Sequence, residues 1–304
     1  MTPDVEIREL DPERDAEGFV ALIHEVFPSA VTTVESWRQQ HGSIPERARH
    51  SAWVAVDEGE VVARAEGSLN WFSESRSAFA GVSVRNAFRR RGIGGLLWER
   101  LESHLKEVEP KRVLSMFTET PDAVAFARAR GFAEVRAETL ASIDPRNVDL
   151  SPLDAVPVEL VPLSAVRPED VFEVDVITTP DVPTTDQLDD IRYDEWLETI
   201  WRRPTMKLEG SFAAIEEGRV AAIALLAANF AIARGFNEYT ATLPSHRGRG
   251  LASLVKLASL RWAAENGITA VWTTNDETNA PMLAINQRLG YEPRSRRVEY
   301  LREG

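Results

Sequence analysis

One Gly/Arg turn occurs twice in this chain, and the sequence around it repeats. The first copy is Arg89-Arg90-Arg91-Gly92-Ile93-Gly94 and the second is Arg247-Gly248-Arg249-Gly250-Leu251-Ala252. Arg247 lies 158 residues after Arg89, Gly218 lies 159 after Gly59, and Gly290 lies 159 after Gly131. Three landmarks hold one offset within a residue, so the chain is a duplicated unit of ordinary domain size. A 304-residue chain is long enough for two such domains, each with its own core.

Each turn follows a short apolar stretch (78–84 and 239–243) and opens a long amphipathic helix. A strand, a Gly/Arg turn and a helix N-terminus make a pyrophosphate site. The N–H groups of the turn and of the first helical turn converge there, and the helix dipole adds positive potential. Glycine matters because a Cβ would hold the phosphate away from the backbone.

Composition narrows the classes. A hydrophobic fraction of 43% and a charged fraction of 27% are those of a soluble globular protein. A net charge of −13 argues against a general nucleic-acid or membrane-surface binder and suits a cationic small molecule, though acidity is also a common solubility device. The chain has no cysteine, which excludes disulfides, a thiol nucleophile and thiolate metal sites. Its five histidines show no metal spacing, so no metal site is expected. The first residues carry no basic segment and no apolar run, and no stretch approaches the ~18 apolar residues of a membrane span. A cytoplasmic protein is expected.

Periodicity predicts the same order of elements in both copies. In the first, strands are expected at 5–9, 51–56, 61–72, 78–84 and 113–118, with an edge strand at 132–142. Helices are expected at 13–27, 33–40, 92–107 and 122–130. In the second, strands are expected at 158–161, 211–215, 220–230, 237–243, 269–274 and 291–301, and helices at 169–177, 188–201, 250–265 and 280–289. Three prolines in residues 144–157 mark a linker between domains 1–143 and 158–304. The class is α+β: two tandem domains, each a mixed, mainly antiparallel twisted sheet flanked by helices. The pattern does not order the strands.

These residues resemble the GNAT superfamily of acyl-CoA-dependent N-acetyltransferases. Both turns match its Gln/Arg-x-x-Gly-x-Gly/Ala signature, as Arg89-x-x-Gly92-x-Gly94 and Arg247-x-x-Gly250-x-Ala252. Its late Gly-Phe/Tyr recurs as Gly131-Phe132 and Gly290-Tyr291. The resemblance covers nearly the whole chain as two tandem domains. It implies that acetyl-CoA is the cosubstrate and that its pantetheine pairs with a splayed central strand, Val82-Ser83-Val84 or Thr240-Ala241-Thr242. The turn residues 89–94 and 247–252 would hold the pyrophosphate. A strand N–H would polarise the thioester carbonyl. The amine of a small molecule would attack directly once a base has removed its proton.

Departures from the family pattern make the copies unequal. The position of the family's general-acid tyrosine, four residues before the late glycine, holds Ala127 and Asn286. Alanine cannot donate, and asparagine hydrogen-bonds but is a poor acid. Tyr239, Tyr291 and Tyr300 are stand-ins or packing residues. The family asparagine that ties the short helix to pantetheine falls at Asn279 and at Thr120, and Asn279 also reads as a helix cap. Glu238 begins the second central strand, where the first has Ala80, and strict alternation puts it on the face of Thr240 and Thr242. It reads as a general base or as a solvated strand residue. The second copy is therefore the expected catalytic one, with Glu238 and Asn286 in its site. A non-catalytic acyl-CoA sensor is the competing reading. A nucleotide-binding protein fits less well, because no Lys-Ser/Thr follows either turn. The early segments 33–49 and 183–201 are where an acceptor pocket is expected.

Overall fold

The computed structural model describes residues 5–154, 158–186 and 192–304. They form two compact units, and each unit draws on both repeats. Unit 1 holds residues 5–137, 185–186 and 297–304, and unit 2 holds 138–154, 158–184 and 192–296.

Unit 1 begins with β1 (Glu6–Glu9), α1 (Pro12–Val26), α2 (Val34–Gly42), β2 (Ser51–Asp57) and β3 (Glu60–Leu69). It continues with β4 (Ser77–Val84), α3 (Ile93–Val108), β5 (Arg112–Thr118) and α4 (Pro121–Arg128). The helices start where local chemistry dictates. Asp11 caps α1 by accepting from the N–H groups of Glu13 and Arg14, with Pro12 at the first position. Thr33 and Ser36 form a reciprocal capping box on α2. Leu97, Leu101 and Leu105, four apart, put one stripe of α3 against Ala63, Ala65 and Ala80. The opposite face of the sheet carries α1 and α2, with Phe19, Leu22 and Trp37 on Val54 and Val56.

Unit 2 repeats the plan. After β6 (Ala133–Ile143) come β7 (Glu159–Pro162), α5 (Pro168–Thr178), α6 (Tyr193–Trp196), β8 (Phe212–Glu216) and β9 (Arg219–Asn229). Then follow β10 (Arg234–Thr242), α7 (Leu251–Glu265), β11 (Ala270–Asp276), α8 (Ala280–Leu289) and β12 (Glu292–Glu303). Leu251 and Val255 of α7 pack on Ala222 and Ala224, while Val171, Val174 and Trp196 pack on Ile223 and Leu225 from the other side. Among the described residues the strand pairing in each unit is mixed and mainly antiparallel, with β4–β5 and β10–β11 parallel, each across a helical crossover.

Three expectations change. Residues 132–142 do not make an edge strand, because β6 pairs antiparallel with β11 over Glu138–Ile143. In the same way β12 pairs with β5 over Arg297–Glu303. The repeats thus exchange their last strands, and the compact units do not divide at 143 and 158. The proline-rich stretch before the second repeat forms two short 3-10 turns, Pro145–Asn147 and Ser151–Leu153, that pack on α7 rather than running free. The helix expected at 188–201 lies partly outside the described residues. Its described part is α6 continued by one π-helical turn, Leu197–Trp201. Among the described residues no helix is long and apolar enough to cross a membrane.

Candidate functional site

Both sheets open at the same position of the repeat. β4 stays paired with β3 to Val84 but with β5 only over Ser77–Phe79. β10 stays paired with β9 to Thr242 but with β11 only over Arg234–Asn237. Phe79 and Asn237 are 158 residues apart, the offset of the two turns. Beyond them Val82, Ser83 and Val84, and Thr240, Ala241 and Thr242, keep a strand partner on one side only. Each wedge leaves one row of strand N–H and C=O groups for an extended ligand.

The turns that close the wedges share one backbone. Arg90 (φ 63°) and Gly92 (φ 86°) are left-handed in the first, as are Gly248 (φ 75°) and Gly250 (φ 80°) in the second. A Cβ added at Gly92, Gly248 or Gly250 would meet no protein atom within 4 Å, so the concave side of each turn is open. Gly92 and Gly250 are the N-caps of α3 and α7, and no side chain caps either helix. By contrast, Asp11, Thr33, Thr120 and Asn279 cap α1, α2, α4 and α8. Ile93 and Leu251 are buried and anchor the first helical turn. Arg89 Nε donates to the Val84 carbonyl at 3.1 Å, and Arg247 Nε donates to the Thr242 carbonyl at 3.2 Å.

Charge distinguishes the turns. In the first, Arg90 pairs with Asp122 at 2.9 Å and Arg91 lies 4.9 Å from the Phe88 ring centroid. Among the described residues no carboxylate pairs with Arg89 or Arg91. In the second, Arg247 pairs with Asp181, and Arg249 is held by both Glu216 oxygens at 2.6 and 2.7 Å.

The strands differ more. β10 carries a bulge between Asn237 and Tyr239, whereas β4 pairs with β3 without a register shift. The extra residue is Glu238. The bulge breaks the alternation that would place it with Thr240 and Thr242. Thr240 turns toward α7, where its hydroxyl donates to Asn237 Oδ1 at 2.9 Å, whereas Glu238 forms an ion pair with Arg203, beyond α6.

Asn286 is 5% exposed; its amide donates to Asn275 Oδ1, and its own Oδ1 meets no partner. Asn275 lies on β11 past the last pairing with β10, so this amide pair stands at the second wedge. The Asn279 side chain accepts from the Met282 N–H at 3.3 Å, and Thr120 accepts from the Ala123 N–H at 3.2 Å. Both positions cap their helix, so this difference between the copies is smaller than their residue types suggest. The Tyr239 hydroxyl meets Thr178 Oγ1 at 2.7 Å, and burial pushes it up to about 12. Burial also raises Tyr291. Tyr300 is buried in unit 1, its ring 5.1 Å from Phe117.

Unit 1 carries charge where unit 2 is apolar. Arg64 and Glu66 stand opposite Ser83 and Gly81, on the face away from α3, whereas β9 presents Ile223 and Leu225. Burial favours the neutral Glu66 carboxyl, but Arg64 and His50 outweigh it and hold the group down to about 2. A cavity of about 430 Å³ opens nearby, lined by His41, Ile44, Pro45, Glu46, Arg49 and His50. It falls largely within the 33–49 segment expected to shape an acceptor pocket. In the first repeat Phe126, Val84 and Val82 lie at ordinary contact distance from Gly94, 3.5 to 3.8 Å from where its Cβ would be.

Sequence reasoning missed Arg203, Asn275 and Glu66, because nothing local links them to the turns. It also passed over Lys256, which had a signal: a single cation inside the apolar run Leu254-Val255-Lys256-Leu257-Ala258.

The family model described as acetyltransferase (GNAT) family matches residues 17–132 and 172–291. No curated protein matches the chain in sequence. Among solved structures, the chain is similar to a tandem GNAT protein from the clavulanic acid biosynthesis pathway, at 22% identity over 99% of this chain and 98% of that one, with a TM-score of 0.77. It is also similar to a GCN5-related N-acetyltransferase from Sphaerobacter thermophilus, at 18% identity over 100% and 97%, with a TM-score of 0.70. Saccharomyces cerevisiae N-myristoyltransferase with bound myristoyl-CoA matches at 10% identity over 99% and 78%, with a TM-score of 0.63. At these identities the likeness is one of fold.

Proposed function

The chain belongs to the acetyltransferase (GNAT) family, and on that premise we propose that it moves an acetyl group from acetyl-CoA to a primary amine of a small molecule in the second wedge. Membership makes it an acyltransferase of the N-acetyltransferase type with an acyl-CoA cosubstrate. The choice of acetyl-CoA, of the amine, of the second repeat and of a cytoplasmic setting is our reading. The observation that carries it is the bulge at Glu238, which sets a carboxylate at the root of a wedge ending on the uncapped start of α7.

In this reading the turn 247–252 and the first turn of α7 hold the pyrophosphate. Pantetheine pairs with the free edge of Thr240–Thr242. A strand N–H next to the bulge donates to the thioester oxygen as negative charge builds on it. Glu238 takes a proton from the ammonium form of the amine, directly or through one water, after exchanging its contact with Arg203. The amine nitrogen attacks the carbonyl carbon, the C–S bond breaks, and the proton that the nitrogen sheds in becoming an amide balances the one that the departing thiolate takes up. Asn286 hydrogen-bonds the departing sulfur rather than protonating it. The net charge of −13 favours a cationic amine. In the first repeat Ala80 takes the place of Glu238, and Glu66 is held too low to accept a proton efficiently.

Glu238→Gln tests the assignment. Its rate is expected to fall by roughly 10²–10⁴-fold, with partial recovery at higher pH, where more amine arrives neutral. A variant that keeps its rate and only raises the amine KM makes Glu238 a binding charge. The ion pair that occupies Glu238 in the free protein favours a second reading, an acyl-CoA-binding protein that does not turn over. Release of free CoA from acetyl-CoA in the presence of a panel of amines separates the two.

A further inference from the structure

Lys256 is a buried charge that the mechanism above leaves unused. It lies on α7, is 1% exposed, and meets no carboxylate among the described residues. Its Nζ donates to Asn237 Oδ1 at 2.7 Å and lies 4.9 Å from the Tyr291 ring centroid. Burial alone pushes the ammonium down to about 7. An interior cation without a counter-ion is costly to keep, and the fold does not require one here. The same position of the first repeat, 158 residues earlier, is Trp98.

What Lys256 touches explains its place. Asn237 is the last residue that β10 shares with β11, and the bulge begins next to it. The side-chain amide and the carbonyl of that residue are engaged. Oδ1 accepts from Lys256 and, at 2.9 Å, from Thr240 Oγ1. Nδ2 donates to the Leu225 carbonyl at 3.1 Å, and the Asn237 carbonyl accepts from Thr273 Oγ1 at 3.3 Å. In the first repeat Asn237, Thr240 and Lys256 are replaced by Phe79, Val82 and Trp98, and β4 has no bulge. The polar triad and the bulge occur together in one repeat and are missing together in the other.

We propose that Lys256 is a positioning residue of the second wedge: its ammonium holds Asn237, and through Asn237 both Thr240 and the bulge that turns out Glu238 and orients the N–H groups of Tyr239–Thr242 that point away from β9. The proposal rests on the reading of this wedge as the acyl-CoA site, and its test separates the two. Acetyl-CoA is the probe, with the full chain in a Gly92→Leu background so that only the second turn is measured. A parent protein that binds no acetyl-CoA sinks the acyl-CoA reading.

Lys256→Met is expected to weaken acetyl-CoA binding about 10- to 100-fold, as loss of positioning does. Its Tm should equal or exceed that of the parent, because an unpaired interior cation has been removed. Lys256→Gln can still donate to Asn237 and should recover most of the affinity. Amide exchange at Tyr239–Thr242 in the ligand-free protein needs no acyl-CoA and should become faster in Lys256→Met. Unchanged exchange, unchanged affinity, or an affinity that falls only along with Tm overturns the proposal. If Lys256→Met does not fold, Thr240→Val decides: it removes one hydroxyl from the same triad, and parent-like affinity there overturns the proposal too.

Discussion

The two wedges share a backbone and differ in what fills it. Both open after the same position of the repeat and end on an uncapped glycine in the left-handed region. The first is lined by Phe79, Val82, Trp98 and Phe126 and keeps its arginines largely free of carboxylates. The second is lined by Asn237, Thr240, Lys256 and Asn286, carries the bulge, and ties Arg247 and Arg249 to Asp181 and Glu216. On the proposed reading, phosphate grip and acyl-transfer chemistry would be separable in this fold. The grip would need turn geometry and a helix start, which both repeats keep. The chemistry would need polar groups at the strand branch point, where the second repeat has Asn237 and Glu238 and the first has Phe79 and Ala80. The first is the more electropositive turn and the less equipped wedge.

The largest effect should come from trying to compare the repeats in isolation. β12 completes unit 1, where Val298 and Tyr300 are fully buried, and β6 completes unit 2 through Ala141 and Ile143. A chain cut after residue 157 loses both buried side chains from its first core, each worth roughly 1.5–3 kcal/mol or more, and leaves β5 without its neighbour. We expect residues 1–157 alone to show no cooperative thermal transition, and the two fragments to recover one when mixed. Independent folding of either fragment would show that the exchanged strands are dispensable.

That exchange was not legible in the sequence, and the reason is physical. Periodicity reports which face of a strand is buried, not which partner buries it. Residues 132–142 and 291–301 read as strands and are strands, but their neighbours are set by long-range pairing. The turns were legible because their chemistry is local: a left-handed glycine, a helix start and an arginine lie within six residues. Alternation puts Glu238 on the wrong face, because an extra residue in a strand leaves no mark in an alternating pattern. Arg203 was out of reach, being joined to Glu238 across 35 residues of chain. Lys256 was visible as a cation in an apolar run, yet its meaning needed Asn237 beside it.

Single turn substitutions sharpen the comparison next. Gly250→Leu and Gly92→Leu each place a side chain on a left-handed backbone, at about 1–2 kcal/mol, and their Cβ atoms meet no protein atom within 4 Å. Both should fold, so what they lose is ligand. Gly250→Leu is expected to reduce turnover at least ~100-fold, as expected of a misplaced cosubstrate, and Gly92→Leu by less than ~10-fold. Measured with acetyl-CoA and an accepted amine, the reverse pattern would move catalysis to the first repeat.

A pH series isolates the charge that distinguishes the wedges. Burial holds Lys256 at about 7, below its ordinary 10.5. Between those values the unfolded chain binds a proton that the folded one does not, so stability rises with pH across the window. Below pH 7 both states are protonated and the full burial cost applies. The slope from this group approaches ~1.4 kcal/mol per pH unit. Tyr239 and Tyr291 are raised and act in the opposite sense, but only above about pH 10. Urea unfolding between pH 7 and 9.5 should therefore show a steeper rise for the wild type than for Lys256→Met. Equal slopes would mean that Lys256 is not held low.

The smallest effect probes a left-handed turn position that the two copies build from different residues. The first left-handed position is Arg90 in one copy and Gly248 in the other. Arginine there bears a steric cost of about 1–2 kcal/mol, which glycine avoids at the expense of a looser unfolded chain. Arg90 also pairs with Asp122, but both side chains are well exposed, so that contact returns little. Gly248→Arg should cost about 1 kcal/mol, since its Cβ meets no atom and no partner has been built for the guanidinium. Arg90→Gly should change stability by less than about 0.5 kcal/mol, because relief of the backbone, the added chain entropy and the lost ion pair nearly cancel. Thermal unfolding of both variants at pH 7 measures this. A Gly248→Arg cost above ~3 kcal/mol would mean that the second turn is held more tightly than its dihedrals show, and the two turns could no longer be treated as one device.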